Sequence, residues 1–327
     1  MTLVARRARL LRALADGRYH AAEALEKALG VGRRELWVLL RSLADLGLAF
    51  ESSPGRGYRL GRALELLDRG RILSAMAGDA RRLAEDLEIL PEIDSTNRYL
   101  LAKAGGPRPG HVCLAEYQSA GRGRQGRRWA SPYGCNLYLS VGWQFQLPPS
   151  GFSALGVACA VAVARAAAST GLGGVGLKWP NDVLFQGRKL GGILLEFVEG
   201  NARARRGVIG VGLNVRMPAP AAAEVDQPWT DVATALGKPV SRNELAGAVI
   251  GQLLLALGQF EAAGPAPFIE QWRRYDIMPG KTAVLRWHNG HVCGVVQGIN
   301  PEGELALSIG GETRHYAYGE VSLRPEP

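Results

Sequence analysis

Cysteine is scarce in this chain: 327 residues hold four, Cys113, Cys135, Cys159 and Cys293. They lie far apart without a C-x-x-C pair, and two sit in apolar runs that read as strand or helix core. They therefore read as reduced thiols of a cytoplasmic protein rather than as a disulfide framework. Long apolar runs are missing too. The arginine-rich opening is followed by no uninterrupted apolar segment, so no signal peptide is expected. The best membrane candidate, Phe152 to Ala168, contains Arg165 and is mostly alanine and valine. It falls short of the roughly 20 strongly apolar residues of a span and reads as a buried helix of small residues, so no membrane partner is expected. Two nucleotide signatures are absent: no Walker A sequence occurs, and Gly210-Val211-Gly212 lacks the third glycine and following helix of a dinucleotide turn. Acidic residues are the minority, 30 against 39 Lys and Arg, which leaves a net charge of +9. Polyanionic partners are implied, either nucleic acid or nucleotide phosphates. With 47% hydrophobic residues the chain has ample material for a core, and its length fits two or three domains.

What stands out is Gly121-Arg122-Gly123-Arg124-Gln125-Gly126-Arg127-Arg128-Trp129. Three glycines free the backbone, four arginines supply forked cationic donors and a tryptophan closes the run, so the segment can wrap an anion. It is expected to be mobile when empty and to order around a phosphate. Taken alone it reads equally as a solvated basic hairpin or a non-specific RNA contact.

Residues 3 to 15, 21 to 29 and 33 to 46 carry leucines at helical spacing, with turns at Asp16-Gly17 and Gly30 to Gly32. Leu48 to Glu51 and Tyr58 to Leu60, joined by Ser53-Pro54-Gly55-Arg56-Gly57, read as a hairpin. Helix-turn-helix plus hairpin predicts a winged helix. Residues 1–61 hold eleven Lys/Arg against six Asp/Glu, +5 of the total +9, which suits phosphate contact. Arg33, Arg34 and Arg41 are the candidate DNA contacts, whereas Glu35, Trp37 and Val38 stand where base-reading polar side chains are otherwise found.

Residues 62 to 87 alternate charge and leucine without proline, which predicts a helical connector. From Glu88 short apolar runs cut by glycine and proline give a mixed α+β pattern, with helices near 96–104, 151–169 and 241–262. Asp94-Ser95-Thr96-Asn97 is a helix start by its capping chemistry. The arginine loop joins strands 110–117 and 136–144, and Lys189 ends a hairpin strand beside Gly191-Gly192. Asn214 interrupts an apolar strand and needs a partner for its amide. Beyond Tyr275, short strands with turns at Pro279-Gly280, Asn289-Gly290, Asn300 to Gly303 and Gly310-Gly311 predict a small barrel.

Together these motifs resemble the biotin protein ligases. Ser95-Thr96-Asn97, Glu116-Tyr117-Gln118, Gly121 to Trp129, Lys178 to Asp182, Arg188 to Gly192 and Gly210 to Val215 stand in that family's order over nearly the whole chain. The two flanking modules look like the bifunctional bacterial subgroup, in which the ligase is also the biotin-operon repressor. The resemblance implies an α+β fold with a winged helix-turn-helix over 1–61, a mixed α/β ligase domain related to class II synthetase-like folds over 62–275, and an SH3-like β-barrel over 276–327. It implies that biotin's carboxylate attacks the α-phosphate of ATP, with Mg²⁺, to give biotinyl-5′-adenylate. A lysine of a biotin carboxyl carrier protein, an acetyl-CoA carboxylase subunit, then takes the acyl group. Operator DNA and a homodimer in the adenylate-bound state complete the implied partners.

By matching positions, Ser95, Thr96 and Gln118 would bind the ureido ring, with Asn97 supporting the turn and Gly121 and Gly123 lending backbone. Arg122 and Lys189 would bracket the biotin carboxylate and the α-phosphate, forming the catalytic set with Asp182. Arg124, which also borders biotin, and Arg127 would hold nucleotide phosphates, with Lys178 and Asn181 beside them. Trp129 would offer a face to adenine and Asn214 an amide edge. Asp182 would orient Lys189 or help place Mg²⁺; the metal ligands stay unassigned. Three alternatives remain at this stage: a ligase with a vestigial DNA-binding module, a lipoate-type ligase, and a non-enzymatic biotin-sensing repressor.

Overall fold

The computed structural model describes residues 2–84, 86–103, 106–145, 151–198, 205–223, 225–287, 290–318 and 322–325. The first sixty residues form three helices, α1 (Leu3–Leu14), α2 (Ala22–Leu29) and α3 (Arg33–Arg41), the last running on as a 3₁₀ turn over Ser42–Leu46. A hairpin of β1 (Phe50–Ser53) and β2 (Gly57–Leu60) follows, with Phe50 opposite Leu60. Its corner requires glycine: Gly57 has φ +93° and a Cβ there would lie 1.9 Å from the His20 carbonyl oxygen. Leu10, Leu14, Leu25, Leu36, Leu40 and Leu60 make the small core. Tyr133, from far along the chain, is buried among them.

The connector is not the continuous helix that its pattern predicts. It holds two short helices, α4 (Arg69–Ser74) and α5 (Gly78–Leu83), and the first strand of the next sheet, β3 (Asp86–Leu90), begins two residues earlier than expected. Residues 64–68 spend their backbone groups on tertiary partners instead. The Leu64 N–H donates to the Ala15 carbonyl, that of Leu67 to Glu116 Oε1 and that of Asp68 to Asn243 Oδ1. The Glu65 carbonyl accepts from Arg242. A helix would have to claim those same groups.

The central sheet has seven strands in the order β3-β4-β5-β9-β8-β7-β6. After β3 come α6 (Thr96–Ala102), β4 (His111–Ala115), β5 (Leu137–Phe145), α7 (Phe152–Ser169), β6 (Val175–Lys178), β7 (Asp182–Phe185), β8 (Arg188–Val198) and β9 (Arg205–Leu213). Only β3 and β4 pair in parallel. Next are α8 (Ala219–Ala222), α9 (Val232–Leu236), α10 (Arg242–Ala263) and α11 (Ala266–Tyr275). The sequence reading, with its last helix near 241–262, missed α11. Proline is tolerated in a helix's first turn, where its N–H is not needed, and Pro265 sits at the cap. Helices α7 and α10 are long and apolar enough to cross a membrane by length and composition, yet both are mostly buried. A helix apolar on all sides belongs in a core, and α7 packs against α10, α11 and the sheet.

The last five strands, β10 (Thr282–Trp287), β11 (Gly290–Ile299), β12 (Leu305–Ile309), β13 (Glu312–Tyr316) and β14 (Ser322–Pro325), form an antiparallel sheet in the order β13-β12-β11-β10-β14. The turn residue Asn289 lies outside the described residues. This sheet shares the main core, since Ala283, Leu285, Val296, Leu307 and Leu323 join the cluster built on α7 and α10. Trp179 Nε1 donates to the Gly303 carbonyl at 3.1 Å across that junction.

Candidate functional site

On one side of the sheet a cleft of about 280 Å³ gathers almost every residue that the motifs single out. One end is a nest of short polar side chains. Ser95 caps α6, and the Thr96 N–H donates to Gln118 Oε1 at 2.9 Å. Gln118 Nε2 donates to Ser131 Oγ, which donates to the Trp129 carbonyl. Below them Ser140 Oγ on β5 donates to Asn97 Oδ1 at 2.5 Å and lies 2.7 Å from the Thr96 hydroxyl. Asn97 lies over Gly210, where a Cβ would stand 2.3 Å from its Oδ1.

The arginine run is already folded upon itself. Trp129 N donates to the Gly121 carbonyl at 2.9 Å, Gly123 N donates to the Arg127 carbonyl at 2.7 Å, and Arg122 bridges Arg128. Gln125 and Gly126, at φ 56° and 70°, make the tip. The loop expected to order around an anion is a closed hairpin here, with a carboxylate of the protein beside it. Glu196 on β8 stands in for the anion, 2.8 Å from Arg122 Nη2. Arg124 Nη1 donates to Asn181 Oδ1 at 3.3 Å, and its guanidinium stacks on Tyr318 at 4.6 Å. Arg127 donates to Gln125 Oε1. Gly121 is not on the cleft wall, but it is fenced in by Ser131 Oγ at 2.6 Å from a would-be Cβ.

Two lysines enter from the opposite side. Asp182 Oδ1 lies 2.7 Å from Lys189 Nζ and Oδ2 lies 2.9 Å from Lys178 Nζ, all three nearly buried. Burial alone would raise the Asp182 carboxyl, but Lys189 and Lys178 outweigh it and hold the group at about 2. The backbone of Lys189 is clamped as well, through Pro228 O and Thr230 N. Each carboxylate oxygen of Asp182 thus meets one lysine ammonium. Among the described residues no group of three His, Cys, Asp or Glu could hold a metal ion. Mg²⁺ does not require such a group, since it is usually held by one or two carboxylates together with substrate phosphates.

Asn214 is not in mid-strand as the sequence suggested; it follows the last residue of β9. Its Nδ2 donates to the Thr230 carbonyl at 3.1 Å, while its Oδ1 is buried without a partner. That oxygen lines a smaller recess of about 70 Å³ with Trp129, Lys189, Met217 and Trp229. Trp129 Nε1 and Arg122 Nε are likewise buried and unpartnered. Three such atoms around one cleft ask for a polar ligand. Cross-strand pairing aligns Gly212 with Gly192, and Gly192 with Asp182, in one row. Trp129 lies on that bare row, with its Cε2 only 2.4 Å from a would-be Cβ of Gly212.

Sequence reasoning missed Glu196, Ser131, Ser140 and Tyr318. The first three are single polar positions in or beside strands, where no spacing marks them. Tyr318 lies two residues after β13, in the C-terminal segment that by texture alone said nothing of function, yet it stacks on Arg124, and Leu323 lines the cleft. The proposed DNA contacts sit elsewhere, on exposed α3. Arg33 is paired there with Glu23 and Glu26, both at 2.6 Å. Trp37 is 45% exposed, with its ring against Phe50 and Tyr58.

A family model described as the biotin/lipoate A/B protein ligase family matches residues 89–214, the segment that holds the cleft. The bifunctional ligase/repressor BirA of Escherichia coli is 36% identical over 97% of this chain and 96% of its own. The chain belongs to the biotin/lipoate A/B protein ligase family. Within that family, the biotin–[acetyl-CoA-carboxylase] ligase of Mycobacterium tuberculosis is 34% identical over 72% of this chain and 88% of its own. The biotin protein ligase of Aquifex aeolicus, solved in complex with biotin and ATP, has the same fold. Its TM-score is 0.64 at 27% identity, covering 74% of this chain and 100% of that one.

Proposed function

We propose that this chain is a biotin protein ligase that joins biotin to ATP as biotinyl-5′-adenylate and passes biotin to a lysine of a biotin carboxyl carrier protein. The observation that carries the reading is the make-up of one cleft. A nest of small hydrogen-bonding side chains, Ser95, Thr96 and Gln118, shares it with Arg122, Arg124, Lys178 and Lys189. A neutral cyclic urea suits the nest, and a carboxylate meeting a triphosphate needs the cations, because the two anions repel each other. Lys189, aimed by Asp182, stands with Arg122 on the reacting carboxylate and α-phosphate. Arg124, Arg127, Lys178 and Asn181 hold the remaining phosphates. The unpartnered Oδ1 of Asn214 accepts from an exocyclic amine, and Trp129 covers the purine. Gly121 and Gly123 bring backbone close to biotin. A closed hairpin also keeps water from the mixed anhydride.

The finer architecture follows the same reading. Residues 1–61 form a winged helix-turn-helix that meets operator DNA through Arg33, Arg34 and Arg41, 62–275 a ligase domain related to class II synthetases, and 276–327 an SH3-like barrel. The adenylate-bound form is a homodimer, and it acts as a repressor, an activity that the name of the Escherichia coli relative also carries.

The test incubates the protein with ATP, Mg²⁺, a carrier domain and either biotin or lipoate, reading pyrophosphate and acylated carrier. Biotin is expected to be transferred and lipoate not. Lys189→Ala should lower pyrophosphate release on the order of 100-fold or more while calorimetric biotin affinity stays within a few-fold, since its charge serves the transition state. Transfer of lipoate, or an equal loss of biotin affinity in the variant, overturns the assignment.

A further inference from the structure

Two carboxylates accompany the cations of the cleft, and they do different work. Asp182 sits between two lysines with both oxygens used. Glu196 spans two parts of the site: its Oε1 pairs with Arg122 Nη2 at 2.8 Å, and its Oε2 accepts from Asn97 Nδ2 at 2.7 Å. The connections continue from Asn97 through Ser140 and Thr96 to Gln118, then through Ser131 to the Trp129 carbonyl. Glu196 therefore closes a polar circuit that starts at one end of the arginine hairpin and finishes at the other. Yet Arg122 is not saturated by it. Arg122 lines the cleft, and its Nε is buried without a partner while Nη2 meets Glu196.

We propose that Glu196 is the resting counter-ion of Arg122, and that an incoming phosphate or carboxylate must take Arg122 from it. This rests on the ligase reading for the identity of the natural anions, but not for the exchange itself. A guanidinium in a partly desolvated cleft binds any anion strongly, including pyrophosphate, the product that must leave. With Glu196 in competition, an anion engages Arg122 only as far as it outbids a neighbouring carboxylate, so its apparent affinity falls by the fraction of enzyme in which Arg122 is available. The two-oxygen geometry sets a second consequence. When Arg122 departs, Glu196 keeps, among the described residues, its hydrogen bond from Asn97, a residue 4% exposed beneath the polar nest. The occupancy of the anion end is thereby passed to the floor of the nest. Glu196 is a positioning residue that acts through Arg122 and Asn97 rather than on the reacting atoms.

The probe is inorganic pyrophosphate alone, titrated calorimetrically into the ligand-free full chain. Glu196→Gln retains an oxygen to accept from Asn97 but loses the charge; it is expected to bind pyrophosphate roughly ten-fold more tightly than the parent chain. Arg122→Ala is expected to bind it more weakly than the parent, and Glu196→Gln added to Arg122→Ala to bring no further change. Should Glu196→Gln not fold, Glu196→Asp, whose carboxylate is one methylene shorter, is expected to tighten binding by a smaller factor. Unchanged or weaker pyrophosphate binding in the variant that folds, or the same gain with Arg122 absent, overturns the proposal. Because neither biotin nor ATP is present, a failure of the ligase reading shows in the acylation assay and leaves this measurement interpretable.

Discussion

At the scale of single residues, Asp182 is the clearest case of a group defined by its neighbours. A carboxylate taken this far out of water is costly unless its charge is answered, and here two ammonium groups answer it. The pH dependence follows. The carboxyl is held at about 2 against an ordinary value of 3.8, so its contribution is complete above the ordinary value and disappears as pH falls through the folded one. The linkage amounts to on the order of 2 kcal/mol. Asp182→Asn should thus be destabilised relative to the parent at pH 6, with the gap closing between roughly pH 4 and pH 2. Urea unfolding of both proteins across that range checks it; a gap that stays constant shows the lysine pairs to be without net effect. Lys178, Lys189 and Asp182 were legible as candidates because their motifs are dense. That Asp182 touches both lysines, one on each oxygen, was not, because it depends on how β7 and β8 are paired.

At the scale of elements, β9 shows why a strand carries glycines where no turn exists. Neither Gly210 nor Gly212 has a positive φ, so backbone freedom is not the reason. Space is. Gly210 leaves room for Asn97 and Gly212 for Trp129, and on a pleated strand residues two apart face the same side. Alanine at either position forces a buried neighbour aside, at roughly 1 to 3 kcal/mol. The two variants should separate by substrate. Gly210→Ala is expected to raise the KM for biotin and Gly212→Ala that for ATP, each by about ten-fold or more, with the other KM changed much less. Steady-state kinetics with each substrate varied in turn checks this, and parallel losses of both would show general damage to the sheet. The sequence reading used these glycines to dismiss a dinucleotide turn and as part of the Gly210 to Val215 motif, without a physical reason for their spacing. Seeing its use required α6 and the hairpin to be docked on the strand.

At the scale of the whole molecule, the modules are not beads on a tether. Tyr133, four residues past Trp129, is buried in the N-terminal leucine core, and buried Arg7 of α1 donates through Nε to Glu92, just before the Asp94 to Asn97 turn, at 2.9 Å. Arg242 on α10 meets Glu116 at 2.9 Å beside Tyr117, with both side chains about 5% exposed or less. The face presented outward is another matter. On exposed α3, Arg33 is held by Glu23 and Glu26, whereas among the described residues Arg34 and Arg41 show no ion pair. If this module contacts DNA phosphates, Arg34→Ala and Arg41→Ala should each weaken binding and lower the salt slope by about one, while Arg33→Ala does less. Fluorescence anisotropy over a salt series on biotin-synthesis promoter fragments, with and without biotinyl-adenylate, reads both effects; tighter binding is expected with the adenylate. An equal effect of all three substitutions would place Arg33 on the DNA despite its glutamates.

The sequence by itself determined the helices with regular leucine spacing, the hairpin before Gly61, the α+β pattern and the six ordered motifs, because periodicity and dense charge are local properties. It also singled out Arg122, Lys189, Trp129 and the Ser95 turn, where unusual residue types stand close together. Only the tertiary structure decided that the connector is broken, that α11 exists, that Asn214 lies beyond its strand, and that Glu196, Ser140 and Tyr318 hold residues of the cleft. Those outcomes depend on which distant group reaches a given N–H, carboxylate or ring. A backbone donor joins a helix or a side chain from elsewhere in the chain, and a lone glutamate in a strand becomes a partner of Arg122 only once the antiparallel pairings of β5 with β9 and of β9 with β8 have set it beside the hairpin.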